Sequence, residues 1–194
     1  MDSPLLLETI CIKDGKALHL EYHNRRFNKS RLELFGIDNY LDIATLLNPP
    51  RDGVYRCRLL YGESIKSVEY IPYTPRDIRS IIAIDSSIEY SYKYANREEI
   101  DMLKKSALGS DEILIIRDSL VTDTSIANIA FWEDGRWITP KTPLLAGTTR
   151  QRLIDTKLLT QKDIKIDEIY QFNIVALMNA MVGFRIITPT WIKA

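Results

Sequence analysis

Two cysteines, Cys11 and Cys57, are all that 194 residues contain. They stand far apart with no Cys-x-x-Cys pair, which excludes a disulfide framework and a cysteine-based zinc site. Both lie in alternating apolar runs, where a reduced, buried thiol is the expected state. Net charge is equally scarce. Lys plus Arg and Asp plus Glu number 26 each, for a formal charge of zero. That balance argues against a dedicated nucleic-acid binder, whose affinity rests on many unbalanced cations. The one basic cluster, Arg25, Arg26, Lys29 and Arg31, is too short and too mixed with apolar residues to alter this. No apolar stretch reaches the ~18 residues that a membrane span needs. Met1-Asp2-Ser3-Pro4 shows neither a basic nor a long apolar leader pattern. Repeats and low-complexity tracts are also missing. The expectation is a reduced, soluble, cytoplasmic protein with no metal, nucleic acid or membrane among its partners.

What is present is a globular composition, 45% hydrophobic and 27% charged, enough to bury a real core. Leu5 to Ile12 reads as a strand. The turn Lys13-Asp14-Gly15-Lys16 and a short strand from Ala17 to Leu20 follow, because Asp-Gly between apolar runs is a hairpin signal. Tyr22 to Phe35 has helical spacing with Phe27, Leu32 and Phe35 inward, and Gly36 marks its end. Leu41 to Leu47 reads as a further helix, Gly53 to Tyr61 alternates as a strand, and Ser67 to Ile71 continues the sheet. Tyr73-Thr74-Pro75 is the expected internal boundary, giving a small lobe over residues 1–75 and a larger one over 76–194. In the larger lobe, strands are expected at Ile78 to Ile84, Glu112 to Arg117, Ile129 to Trp132, Arg136 to Thr139 and Arg185 to Ile187. Helices are expected at Arg97 to Ala107 and after Thr149. Mixed strands and helices with many hairpins indicate an α+β fold in two lobes.

Five short stretches carry residue types suited to chemistry. Leu145-Ala146-Gly147-Thr148-Thr149-Arg150 runs from a loop into a helix start, where free N–H groups and the helix dipole make a seat for a phosphate, unless Thr148 or Thr149 is an ordinary cap. Lys93 sits among Tyr90, Tyr92 and Tyr94; a desolvated amine has a lowered pKa and becomes a nucleophile, whereas most lysines simply snorkel. Asp123 lies in the polar, turn-like patch Val121 to Ile129, where it either pairs with a cationic ring nitrogen or bonds its own backbone. Arg26, three residues after His23, has the planar fork that matches two phosphate oxygens. Asn179-Ala180-Met181-Val182-Gly183 is either a plain turn or a backbone nest for an anion.

Taken in order, these stretches resemble the fold-type IV pyridoxal-phosphate enzymes, the class IV aminotransferase family. Leu7-Glu8-Thr9-Ile10 is similar to the family's opening strand and His23-x-x-Arg26 to its His-x-x-Arg helix. Lys93-Tyr94-Ala95-Asn96-Arg97 and the Asp123-to-Asn128 strand entry followed by Ile129-Ala130-Phe131-Trp132 resemble the aminodeoxychorismate lyases within it. Gly147-Thr148-Thr149-Arg150 is similar to the family's Gly-Ile-Thr-Arg phosphate loop, and Asn179-Ala180 to its second phosphate turn. The resemblance implies pyridoxal 5'-phosphate as cofactor, with Lys93 as the catalytic residue that holds it as an internal aldimine and then moves a proton. It implies that Arg26, Thr148, Thr149, Asn179 and Ala180 hold the phosphate and that Asp123 faces the pyridinium nitrogen. Asn96, Arg97 and Asn128 stand behind them. The implied activity is release of 4-aminobenzoate and pyruvate from aminodeoxychorismate, in the folate pathway. The alternatives are transamination of a branched-chain or D-amino acid and a non-catalytic remnant that only binds. A homodimer is the implied assembly. The chain departs from the pattern in three ways. Asp123 stands where Glu is usual, Thr148 replaces Ile, and the chain begins almost at the opening strand, without the roughly two or three dozen residues that usually precede it and shape the substrate side.

Overall fold

A computed structural model describes residues 3–192, which form two compact units. One runs to Pro75 and takes in Tyr92–Asn96; the other comprises Arg76–Ser91 and the chain from Arg97 onward. Strands and helices are mixed in both, an α+β fold. Among the described residues, no helix is long and apolar enough to cross a membrane.

In the first unit, β1 (Leu6–Lys13) turns through Asp14-Gly15 into β2 (Lys16–Ala17), and α1 (Leu20–Phe35) follows. β3 (Val54–Tyr61) and β4 (Ile65–Pro72) complete an antiparallel sheet of order β2-β1-β3-β4. Alternation along β1 sends Leu6, Ile10 and Ile12 to one face, where they meet Cys57, Leu59 and Tyr61 of β3 and Phe27 of α1. All are buried, and each of the larger ones contributes roughly 1.5–3 kcal/mol by leaving water. α1 ends where Gly36 takes the left-handed φ of 66°, so that its N–H reaches the carbonyls of Arg31 and Leu32. Three expectations for this unit change. The strand expected from Ala17 to Leu20 ends at Ala17, and Leu20 already opens α1. Leu32 is 53% exposed, because it falls off the stripe that Phe27 and Arg31 turn inward. The run Leu41 to Leu47 forms only a four-residue 3-10 helix, Ile43–Leu46, capped by the Asp42 side chain, and the following Asn48-Pro49-Pro50 leaves no room to extend it.

The second unit holds β5 (Ser80–Asp85), α2 (Glu98–Ser106), β6 (Glu112–Arg117), β7 (Leu120–Thr124), β8 (Asn128–Glu133) and β9 (Arg136–Pro140). α3 (Thr148–Asp155), β10 (Leu159–Lys162), β11 (Val175–Asn179), β12 (Gly183–Ile187) and β13 (Thr190–Ile192) follow. They build a five-stranded sheet, β10-β9-β8-β11-β12, and a four-stranded sheet, β13-β5-β6-β7. One core draws on both: Ile81, Leu114, Ile116 and Val121 from the second meet Ile129, Phe131, Ile138, Val175 and Leu177 from the first. The other face of the five-stranded sheet, with Ala130, Trp137, Ala176 and Met178, packs on Leu153 of α3. α3 therefore lies along this sheet with its amino end at the start of β8.

Candidate active site

The division at residue 75 had placed Lys93 with the larger lobe; in the structure its segment belongs to the first unit. Tyr92–Asn96 lies along the edge of β1 that β2 leaves uncovered. Leu7 N–H donates to Lys93 O at 2.9 Å, Ala95 N–H donates to Leu5 O at 2.8 Å, and Leu6 pairs with Tyr94 in an antiparallel bridge. Tyr92 and Tyr94 turn toward the α1 side and pack on the core there. Alternation sends Lys93 to the other face, in register with Leu7. Leu7 is opposite Leu60, Thr9 opposite Arg58 and Cys11 opposite Arg56, so Lys93 shares that face with Thr9, Arg58 and Arg56. Arg58 pairs with Glu69 at 3.2 Å, whereas the Arg56 Nε is buried with no hydrogen-bond partner among the described residues. An amine and two guanidiniums on one sheet face suit a substrate that carries carboxylates.

Arg26 stands on the α1 side. Its Nε donates to Glu8 Oε1 at 2.8 Å and its Nη2 to Glu8 Oε2 at 2.6 Å, a bidentate grip on a carboxylate that is fully buried. His23 Nδ1 lies 2.6 Å from the same Oε2 and carries the proton of that bond while Glu8 is ionised. Burial pushes the Glu8 carboxyl up, but the Arg26 charge and the His23 and Arg26 bonds more than offset this and hold it down at about 2. The fork expected to meet phosphate is thus fixed in plane by a buried acid. Sequence reasoning overlooked Glu8, although its parity with Leu6, Ile10 and Ile12 on an inward strand face was a readable signal.

In the second unit Asp123 occupies strand β7, which corrects the turn-like reading of its patch; the turn is confined to Ser125-Ile126-Ala127. The polar residues of β7 are buried because each finds a partner: Thr122 Oγ1 donates to Ile115 O and Thr124 Oγ1 to Ala127 O. Asp123 Oδ1 accepts from Asn128 Nδ2 at 2.7 Å and Oδ2 from Leu145 N–H at 2.8 Å. Burial raises its carboxyl to about 6 against the pull of those bonds and of the Arg150 charge, which brings its ionisation within reach of neutral pH. Asn128 Nδ2 also donates to Leu145 O at 2.8 Å.

Two residues later Gly147 caps α3 without a side-chain bond, so the N–H groups of the first turn have no capping acceptor there. Thr148 and Thr149 are buried, and neither hydroxyl forms a hydrogen bond among the described residues. Arg150 is buried too, donating to Pro140 O at 2.7 Å and to Gln161, while its Nε has no partner among the described residues. Glycine is required at 147 because a Cβ there would collide with Asn128 Oδ1. Asn179 ends β11 beside the start of β8, since Met178 pairs with Asn128. Its Oδ1 accepts from Met181 and Val182 N–H at 2.9 and 3.0 Å, and its Nδ2 reaches Ile126 O at 3.1 Å, which makes 179–183 a side-chain-braced hairpin turn containing Ala180. The structure therefore gathers Asp123, Asn128, Thr148, Thr149, Asn179 and Ala180 around one end of the five-stranded sheet. Arg97 stands behind them, its Nη2 on Ser125 O at 2.8 Å. Lys93 and Arg26 belong to the first unit, on opposite faces of its sheet.

Known proteins place this arrangement. The model of the class IV aminotransferases matches residues 5–189. An uncharacterized protein of Haemophilus influenzae is 34% identical over 184 residues, covering 92% of this chain and 98% of its own length. Among solved structures, a Haemophilus somnus protein provisionally named 4-amino-4-deoxychorismate lyase superposes with a TM-score of 0.84 at 34% identity, over 94% of this chain and 99% of that one. A hypothetical aminotransferase of Mycobacterium tuberculosis in a pyridoxal-phosphate-bound form shares the fold, with a TM-score of 0.76 at 17% identity over 96% and 81% of the two chains. A matched family model that spans nearly every described residue, and relatives of the same length at a third identity, lead to one conclusion: the chain belongs to the class IV aminotransferase family.

Proposed function

We propose that this chain is a pyridoxal-phosphate-dependent enzyme acting on a carboxylated amino substrate, with the 4-amino-4-deoxychorismate lyase reaction as its activity. The observation that carries the proposal is the seating of Lys93: an amine fixed by strand pairing on the sheet face that also bears Arg56 and Arg58. The likeness to the Haemophilus somnus protein over the full length supports the lyase over other members of the family.

The family typically uses pyridoxal phosphate, and the residues present suit it. A cradle that admits only glycine at 147, an uncapped helix start and two unspent threonine hydroxyls fit a phosphate. The Thr148 and Thr149 N–H and hydroxyl groups would hold it, with Asn179 and Ala180 at the second turn, while Arg26 spends its fork on Glu8. Asp123 would offer its buried carboxylate to the ring nitrogen. When bound, the cofactor supplies the electron sink for a developing carbanion. The protein's own part is then acid–base chemistry and positioning. Lys93 Nζ would hold the cofactor and would carry a proton to and from the substrate carbon. Arg56 and Arg58 orient substrate carboxylates.

Incubating the purified protein with pyridoxal phosphate and aminodeoxychorismate tests this. Stoichiometric pyruvate and 4-aminobenzoate are expected. Amino transfer to a keto acid without pyruvate release would assign the aminotransferase reading instead, and a protein that stays colourless with the cofactor would assign the binding remnant. Homodimer assembly goes with the same reading, and light scattering is expected to give about twice the 22.4 kDa chain mass.

A further inference from the structure

Leu145 is held at both of its backbone polar groups by side chains that also bond each other. Its N–H goes to Asp123 Oδ2 and its carbonyl to Asn128 Nδ2, and Asn128 Nδ2 closes the ring on Asp123 Oδ1. Such a closed three-member ring is stiffer than three separate bonds, because each bond fixes the geometry of the next. It lies two residues from Gly147, the cap of α3, and Asn128 reaches that residue as well: its Oδ1 fills the space a Cβ at 147 would need. Asn128 thus touches the strap leading to the helix at two places, one by hydrogen bonding and one by occupying volume.

We infer that Asn128 is the positioning residue of the anion seat, fixing the Leu145–Gly147 strap and with it the direction of the uncapped N–H groups at the start of α3. The inference rests on the cofactor reading above for the identity of the anion, but not for the strap itself. Asn128 acts through Leu145 and Gly147 and has no part in bond making. Its side chain is buried with both donor bonds satisfied, and its Oδ1 faces glycine, so no shorter residue reaches all three points. The ring also gives Asp123 a second duty at the strap, one that the usual, longer glutamate would serve from a different position.

Two measurements on the full-length protein test this. The first uses no cofactor. Amide hydrogen exchange is compared between wild type and Asn128→Ala, and exchange across 144–150 is expected to quicken about tenfold, the equivalent of one lost buried hydrogen bond, with β3 and β6 unchanged. Exchange across 144–150 that stays at the wild-type rate overturns the proposal. The second compares capture of pyridoxal phosphate with capture of pyridoxal, which lacks the anion. Asn128→Ala is expected to weaken the phosphorylated aldehyde about tenfold and pyridoxal less than about twofold. Equal losses for both would make Asn128 a ring contact or a general prop, and would overturn it. Gly147→Ala closes the cycle: about tenfold weaker phosphate-dependent capture with Asn128 present, and less than about threefold further loss once Asn128 is alanine. Additive losses count against the shared space. If the wild-type protein captures neither aldehyde, the cofactor reading fails, and hydrogen exchange alone decides the strap.

Discussion

Lys93→Ala is expected to abolish the visible absorbance band that pyridoxal phosphate acquires on condensing with a protein amine, and to lower turnover by about a thousandfold or more. The backbone sets the position of this amine. Leu7 and Ala95 hydrogen bonds fix the strand segment, Tyr92 and Tyr94 bury on the α1 side, and the lysine between them is driven to the opposite face. Among the described residues no other lysine is held in that position on the sheet edge, so none of them replaces it. The variant still has the α3 start and the Asn179 turn, and is therefore expected to bind the cofactor reversibly, without colour and without resistance to dialysis. Borohydride reduction followed by peptide mass mapping checks the assignment directly: the label belongs on Lys93, and a label on any other lysine, or undiminished colour in the variant, would refute it.

Glu8→Gln is expected to cost about 3–5 kcal/mol of stability at pH 7, the usual penalty for removing one partner from a buried charged pair. Glutamine fits the space but leaves Arg26 and the His23 bond without the negative charge they surround in a fully buried position. The pH dependence follows from the lowered carboxyl. An ordinary glutamate ionises near 4.5 and Glu8 near 2, so the stabilising contribution is fully present above 4.5 and disappears as the pH falls through 2. The wild-type protein should therefore lose about 3 kcal/mol over that interval from this residue alone. Glu8→Gln lacks this acid-sensitive part. Urea unfolding followed by circular dichroism at pH 7 and pH 3 measures both; a variant within about 1 kcal/mol of wild type at pH 7 would show that the triad is not a stabilising unit.

Much of the fold was legible because local rules and packing agree there. Asp14-Gly15 forms the hairpin turn that its sequence announces, and Phe27 and Gly36 mark the inward side and the end of α1. Legibility failed where tertiary partners override local character. β7 reads as a turn because Thr122, Asp123 and Thr124 are polar, and only their side-chain bonds to Ile115, Leu145 and Ala127 let them be buried in a strand. Leu32 reads as core, but the helix turns it to solvent. The candidate site residues were legible as motifs, one stretch at a time. What the motifs could not convey is their support. Glu8 behind Arg26, and Asn128 against Gly147, depend on register and on contacts between segments 18 and 19 residues apart, which no linear pattern displays.

The pairing of Tyr92–Asn96 with β1 makes the first unit discontinuous in the chain. During synthesis, β1 to β4 can assemble as soon as Pro72 has emerged, but the strip alongside Leu5–Leu7 stays bare until residue 96 is made. An open edge of this kind is a template for wrong pairing while it lasts. The chain thus completes its first sheet with the segment that carries Lys93, so that the lysine is set in place only by the same event that seals the edge.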